Sequence, residues 1–316
     1  MAEVPLPGVD YPRTLAEFNA WFPDEVACLA YLERLRWPEG FLCPHCAATK
    51  SWRLARRRKL RCAGCRREVS ITAETVFADS HLPLMRWFAA AWYVTSQKPG
   101  ASALGMQRVL GLGSYRSAWA MLHKLRRAMV RPGRDLLTGE LEVDETYVGA
   151  GKGRGAGRGT PGKAIVAIAV EALPRGVCGR VRLARIANCS EPVLTGFVRD
   201  VATPGAVLYT DHWQGYSGLS AAGFRHHATS IAASGDPAHV AMPRVHRVSA
   251  LLKRWLLGTH QGAARPQHLD YYLDEFTFRF NRRRSRHRGL VFYRLLEQAM
   301  QIDHTPIHAL TGGNRG

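Results

Sequence analysis

The sequence predicts a multi-domain protein of mixed α/β class, and three features predict it. Four of its seven cysteines fall in two Cys-x-x-Cys pairs near the amino-terminal end. Helical periodicity then continues as far as the break at Arg131-Pro132-Gly133. From Glu140 onward the texture changes to short alternating or wholly apolar runs, the pattern of strands, interleaved with helical stretches. A chain of 316 residues is long enough for two or three domains. We divide it into an amino-terminal helix with a zinc ribbon (1–73), a helix-turn-helix domain (74–135), an α/β domain with a mixed sheet (136–298) and a tail (299–316).

Each element follows from local signals. Residues 14–36 carry apolar positions at helical spacing, and Asp24 is placed to cap a helix over Glu25 to Arg36. A cysteine-bearing, arginine-rich stretch runs from Trp37 to about Thr72. Helical patterning resumes from about Pro83 to Val130, broken at Lys98-Pro99-Gly100 and at Gly111-Leu112-Gly113-Ser114. Strands are predicted at Glu140–Val148, Lys163–Glu171, Gly179–Asn188 and Ala206–Thr210. Ser190 can cap a helix across Glu191 to Val201. Two more helices are expected near Val245–Leu257 and Gln267–Asn281. The segment Gly151–Gly162 is a low-complexity basic loop between two strands.

Apolar residues make up 46% and charged residues 22%, the balance of a folded protein rather than a disordered one. The 44 Lys+Arg against 25 Asp+Glu give a formal charge of +19, with a pI near 10.2. Such an excess is best matched by a polyanion, because neutralising phosphates releases counterions. A ribosome-associated or merely very soluble protein is the plainer explanation. No run reaches the ~18 apolar residues a membrane span needs. The start, MAEVPLPGVDYPRTLAEF, lacks the layout of a signal peptide. A reducing cytoplasm is therefore expected, where paired cysteines suggest metal rather than disulfides.

Cys43, Cys46, Cys62 and Cys65 form two knuckles whose thiolates can complete one tetrahedral zinc site. Redox-active or simply buried pairs are the alternative; His45, inside the first knuckle, is a poor substitute ligand. Arg53, Arg56, Arg57, Arg58, Lys59 and Arg61 crowd the hairpin between the knuckles. Cys28, Cys178 and Cys189 are isolated and read as packing residues. Residues 101–130 outline a helix, a glycine turn and a second helix bearing Arg116, His123, Lys124, Arg126 and Arg127. That is the outline of a helix-turn-helix, with Arg116 and Lys124 facing DNA, or of an ordinary helical hairpin.

Phosphodiester chemistry with two metal ions needs acidic side chains gathered from separate elements. Asp144 lies within one strand and Asp211 just past the end of another, where open α/β sheets collect their sites. Glu140, Glu142 and Glu145 compete with Asp144, and periodicity does not choose among them. His246 and Lys253 lie two turns apart on one helix face, suited to a metal and a phosphate. With 13 histidines in the chain, His246 is equally an ordinary surface or core residue. Arg279, Arg282, Arg283, Arg284, Arg286 and Arg288 would grip a DNA backbone, or else form a solvated tail. The interleaved Phe276, Phe278, Phe280 and Phe292 favour a packed helix.

The segments RWPEGFLCPHC, SYRSAWAMLHKLR, LEVDETYVG, YTDHWQGY, LLKRWLLGTHQG and HLDYYLDEFTFRFNRR occur here in that order. Together they resemble the bacterial insertion-sequence transposases of the DDE class, in the ISXO-like group with an amino-terminal zinc ribbon. The resemblance spans about residues 15 to 298. It implies a ribonuclease-H-like catalytic domain whose first catalytic aspartate is Asp144, in the DET motif, and whose second is Asp211, in the TD motif. The third position, seven before the Lys253-Arg254 pair, is usually Glu or Asn and is His246 here; His212 stands where relatives generally carry Gly. Lys253 and Arg254 would contact DNA phosphate. A structural Zn2+ and two catalytic Mg2+ or Mn2+ ions are implied. So are inverted-repeat ends and target DNA as partners, a homo-oligomer on that DNA, and a bacterial cytoplasm. Two rival functions remain, a non-catalytic DNA-binding regulator and a structure-specific nuclease of similar fold.

Overall fold

The computed structural model describes residues 4–54, 59–131, 133–149, 163–229, 242–262 and 264–311. Arg56, Arg57, Arg58 and the expected basic loop 151–162 lie outside the described residues. The chain forms two compact units, Met1–Arg131 with Arg284–Gly316, and Pro132–Arg283.

In the first unit, helices α1 (Leu15–Trp21) and α2 (Glu25–Arg36) begin where capping chemistry places them. Thr14 accepts the Glu17 amide, and Asp24 Oδ1 accepts the Ala27 amide at 2.8 Å. A three-stranded antiparallel ribbon follows, made of β1 (Ser51–Arg53), β2 (Lys59–Cys62) and β3 (Glu68–Ser70). Helices α3 (Leu84–Ser96), α4 (Ala103–Leu110) and α5 (Tyr115–Arg127) come next. Between α4 and α5, Gly111 takes φ +60°, a left-handed helix ending that glycine adopts without a side-chain penalty; Ser114 then caps α5.

The carboxy-terminal helix α9 (Arg288–Ala299) belongs to this unit, so compactness does not follow the expected boundary at 298. The reason is aromatic. Phe292 is fully buried, with its ring centroid 5.6 Å from those of Phe18 and Trp92 and 5.9 Å from those of Phe22 and Phe88. At Gly289 a Cβ would sit 1.6 Å from the Pro12 carbonyl oxygen, so only glycine allows the helix start this close to the chain.

The second unit is a five-stranded mixed sheet in the order β6-β5-β4-β7-β8. The antiparallel meander β4 (Glu140–Val148), β5 (Ala164–Leu173) and β6 (Val177–Ile186) occupies one side. Helix α6 (Glu191–Val201) leads to β7 (Val207–Asp211), which runs parallel to β4, and β8 (Arg225–Thr229) runs parallel to β7. Alternation gives each strand two faces. Leu141, Val143, Ala167 and Ala169 pack with Leu194, Val198 and Tyr216 on one face. Val166, Ile168 and Val170 pack with Val245, Val248 and Leu252 of α7 (Pro243–His260) on the other. Tyr272, Phe276 and Phe280 of α8 (Leu269–Asn281) complete that second core.

Two expectations needed adjustment. Strand β8 was not predicted, because RHHAT carries no apolar run; it lies at the sheet edge with most of its side chains exposed. Ser190 occupies the cap position of α6 but makes no side-chain cap bond. Among the described residues no helix is long and apolar enough to cross a membrane.

Candidate functional site

The zinc ribbon is built by two like knuckles. In each, the first cysteine accepts back the amide of the residue after the second: Ala47 N to Cys43 O at 2.9 Å, Arg66 N to Cys62 O at 3.1 Å. Both of those following residues take positive φ, 57° at Ala47 and 61° at Arg66. The four Sγ atoms lie within 4.8 Å of one another, with Cys43 to Cys65 at 3.7 Å and Cys46 to Cys62 at 3.5 Å. A tetrahedral zinc with Zn–S bonds of about 2.3 Å sets its sulfurs about 3.8 Å apart, so the thiols fit the ion. The Cys65 amide, with the neighbouring thiols, brings Cys62 down to about 6, toward the thiolate that binds metal. Gly64 is closely packed, since a Cβ there would lie 3.0 Å from Ala48 and 3.4 Å from Cys46 Sγ. His45 is exposed and outside the cluster.

The second candidate site lies on the sheet face under α7. Register locates its carboxylates. The β4–β7 ladder ends at the pair Glu142↔Tyr209. Asp144 and Asp211 each stand two residues further along neighbouring parallel strands, on the same face and at the same level. Both act electrostatically on Tyr216. Its hydroxyl is held well above the ordinary phenol range by burial first, then by the charges of Glu145, Asp144 and Asp211. Trp213 N donates to Asp211 Oδ1 at 3.1 Å, and the Trp213 indole donates to Cys189 O at 2.9 Å, fixing the turn that carries Asp211. A Cβ at Gly215 would lie 2.3 Å from that same carbonyl.

The competing glutamates have other partners. Glu142 is buried and accepts the Arg244 and Val245 amides at 2.7 and 2.8 Å while pairing with the Arg244 guanidinium at 2.7 Å. Glu145 points to the opposite face and accepts the Tyr216 hydroxyl at 2.9 Å. Glu140 is exposed at the strand start.

Helix α7 crosses this face, tied to β4 also by Ser249 Oγ donating to Thr146 Oγ1 at 2.8 Å. His246, Ser249 and Lys253 follow one another at helical spacing on one side of α7. The Lys253 ammonium is lowered by burial and by Lys163, and Asp144 opposes that shift. His246 therefore sits in the first turn of α7, on the stripe whose later members reach Thr146 and the field of Asp144. Among the described residues the cysteines alone bring three or more metal-binding side chains within 4.8 Å; Asp144, Asp211 and His246 do not close to that spacing.

The cationic residues divide by burial. Arg116, Lys253 and Arg254 are exposed. Lys124 is buried, with Nζ 3.5 Å from Ala78 O and its ammonium lowered by burial; the expected DNA contact is corrected to an internal one. Arg282 and Arg283 are half-buried. Their guanidiniums stack 3.9 Å over Phe278 and Phe280, and Arg283 donates to the Cys178 carbonyl, fastening α8 to β6. Arg284, Arg286 and Arg288 are exposed. Sequence reading missed the roles of Glu142, Tyr216, Trp213 and Ser249. Their partners lie on elements remote in sequence, and the shared strand face of Glu142 and Asp144 was the one available hint.

Comparison with known proteins defines the class. Residues 136–281 match the ISXO2-like transposase domain, and residues 23–68 match the transposase zinc-ribbon domain. A relative from Halobacterium salinarum, described as an uncharacterized protein in transposable element ISH50, is 27% identical over 278 residues. That alignment covers 82% of this chain and 91% of the relative. Over these two segments the chain is similar to insertion-sequence transposases that carry an ISXO2-like domain and an amino-terminal zinc ribbon.

Proposed function

We propose that this protein is a DDE-type transposase that binds the inverted-repeat ends of an insertion sequence, cleaves a phosphodiester there and joins the freed 3′-hydroxyl to target DNA. What supports this reading is that Asp144 and Asp211 stand two residues past the last β4–β7 pair on one strand face, with Asp144 in the field of Lys253 on α7. The strand order, a three-stranded meander followed by two parallel strands, supports a ribonuclease-H-like assignment for residues 136–281.

The donor set suits hard divalent cations, Mg2+ or Mn2+. It offers two carboxylates and an imidazole from three separate elements, beside the hydroxyls of Thr146 and Ser249. Two such ions would supply activation of the attacking oxygen and stabilisation of the leaving one. Asp144 and Asp211 would hold the ions, and His246 would serve as the third ligand. Exposed Lys253 and Arg254 would take the adjoining phosphates. The ribbon and the α4–turn–α5 segment would engage the ends. There the first turn of α5, with exposed Tyr115 and Arg116, is the part of the helix open to a groove. A homo-oligomer bridging two ends fits the reaction, which joins both ends to one target.

Incubating the purified protein with element-end DNA, a target plasmid and Mn2+ tests the proposal. Joined product is expected. End binding without nicking would favour a regulator, and cutting without regard to end sequence would favour a nuclease.

A further inference from the structure

Helix α7 carries the proposed third metal ligand in its first turn, yet it begins without a cap of its own. Met242, at the cap position, makes no side-chain bond to the helix start, and Pro243 follows it. The first amides of a helix need acceptors, and a carboxylate is the best acceptor for them. That acceptor comes from the sheet. Glu142 Oε2 takes the amides of both Arg244 and Val245, at 2.7 and 2.8 Å, and Oε1 takes the Arg244 guanidinium at 2.7 Å. The Glu142 side chain is 4% exposed.

We propose that Glu142 is a positioning residue for the metal site, a cap supplied from β4 that fixes the first turn of α7 and so places His246 over Asp144. The inference rests on the reading of Asp144, Asp211 and His246 as metal ligands. Glu142 and Asp144 are two residues apart on the same face of one strand, so the group that holds the helix and the group that holds the ion share one backbone. Arg244 and Val245 immediately precede His246, and Ser249, one turn on, bonds Thr146 of the same strand face. The helix is thus pinned to β4 on both sides of His246. Loss of the Glu142 pin frees the turn that contains the ligand, while Ser249 and the apolar residues Val248 and Leu252 keep the rest of the helix seated. Partners behind metal ligands act in this way, and their loss weakens metal binding by about 10–100-fold.

The test is Mn2+ binding to the full-length protein, followed by electron paramagnetic resonance, for wild type, Glu142→Gln, Glu142→Gln/Arg244→Met and His246→Ala, with melting temperature recorded alongside. Glu142→Gln leaves the half-buried Arg244 guanidinium with only the Val177 and Leu173 carbonyls as partners and lowers the melting temperature. The double variant removes that charge and recovers stability. Mn2+ affinity is expected to fall about 10–100-fold in both Glu142 variants, tracking position rather than stability. Wild-type affinity in Glu142→Gln, or affinity that returns with stability in the double variant, overturns the positioning role while His246→Ala still binds weakly. Unchanged affinity in His246→Ala overturns the underlying assignment of the ligand, and the role of Glu142 with it.

Discussion

Asp144 illustrates what a single residue can and cannot announce. It shares its strand face with Glu140 and Glu142, so alternation separates it from Glu145 but from neither of the others. Helix α7 removes one competitor, since its first turn claims Glu142 from 102 residues away. His246 stands where the resemblance leads one to expect Glu or Asn, and its contribution can be read directly. His246→Ala is expected to cripple end cleavage and His246→Glu to retain part of it, measured with end DNA and Mn2+. A silent alanine would move the third ligand elsewhere. The basic residues offer a second discrimination. A phosphate contact contributes roughly one unit to the slope of log affinity against log salt. Lys253→Ala is expected to reduce that slope by about one, whereas Lys124→Met, at a buried position, leaves the slope unchanged and alters stability alone.

Most elements were legible because their signals are local. Asp24 begins α2, the Gly111–Ser114 turn separates α4 from α5, and β4 spans Glu140–Val148 as its alternation predicts. Strand β8 was not legible, being an edge held by one neighbour and little apolar burial. Nor was the half-buried ion pair that bridges β5 and β6 at a β-bulge. Glu171 accepts the Arg180 amide at 2.8 Å and its guanidinium at 2.6 Å, and Gly179 leaves the room, since a Cβ there would lie 2.7 Å from that of Glu171. Burial raises the Glu171 carboxyl, but the bonds from Arg180 outweigh it and leave the group below its ordinary 4.5. A carboxyl lowered by folding adds stability that is complete above its unfolded value and is lost as pH falls through the folded one. Arg180→Met is therefore expected to destabilise by about 1–3 kcal/mol at neutral pH, with the difference from wild type shrinking below pH 4.5. Chemical denaturation across that range is the measurement, and a constant difference would contradict the account.

At the scale of the whole chain, the charge of +19 and the paired cysteines pointed to a nucleic-acid protein with structural zinc before any fold was known. Composition could not say which basic residues face solvent. Arg282, Arg283 and Lys124 went to internal bonds, because aromatic rings and backbone carbonyls were there to receive them. The grouping of α9 with the amino-terminal unit was hidden for a like reason, since Phe292 finds its aromatic partners far back in the sequence. The ribbon's own core is small, centred on Cys43, Cys62 and Val69, so a bound zinc would supply much of its stability. Chelation of a single zinc per chain is expected to unfold the ribbon and abolish specific end binding, read by metal analysis, circular dichroism and gel shift. Protein without zinc that still binds ends would reject the ribbon's role. The central claim is that Asp144 and Asp211 together form a metal-dependent catalytic centre, and strand transfer by Asp144→Ala and Asp211→Ala tests it most directly. Both variants should bind element ends as wild type does and yield no joined product, whereas normal joining by either would contradict it.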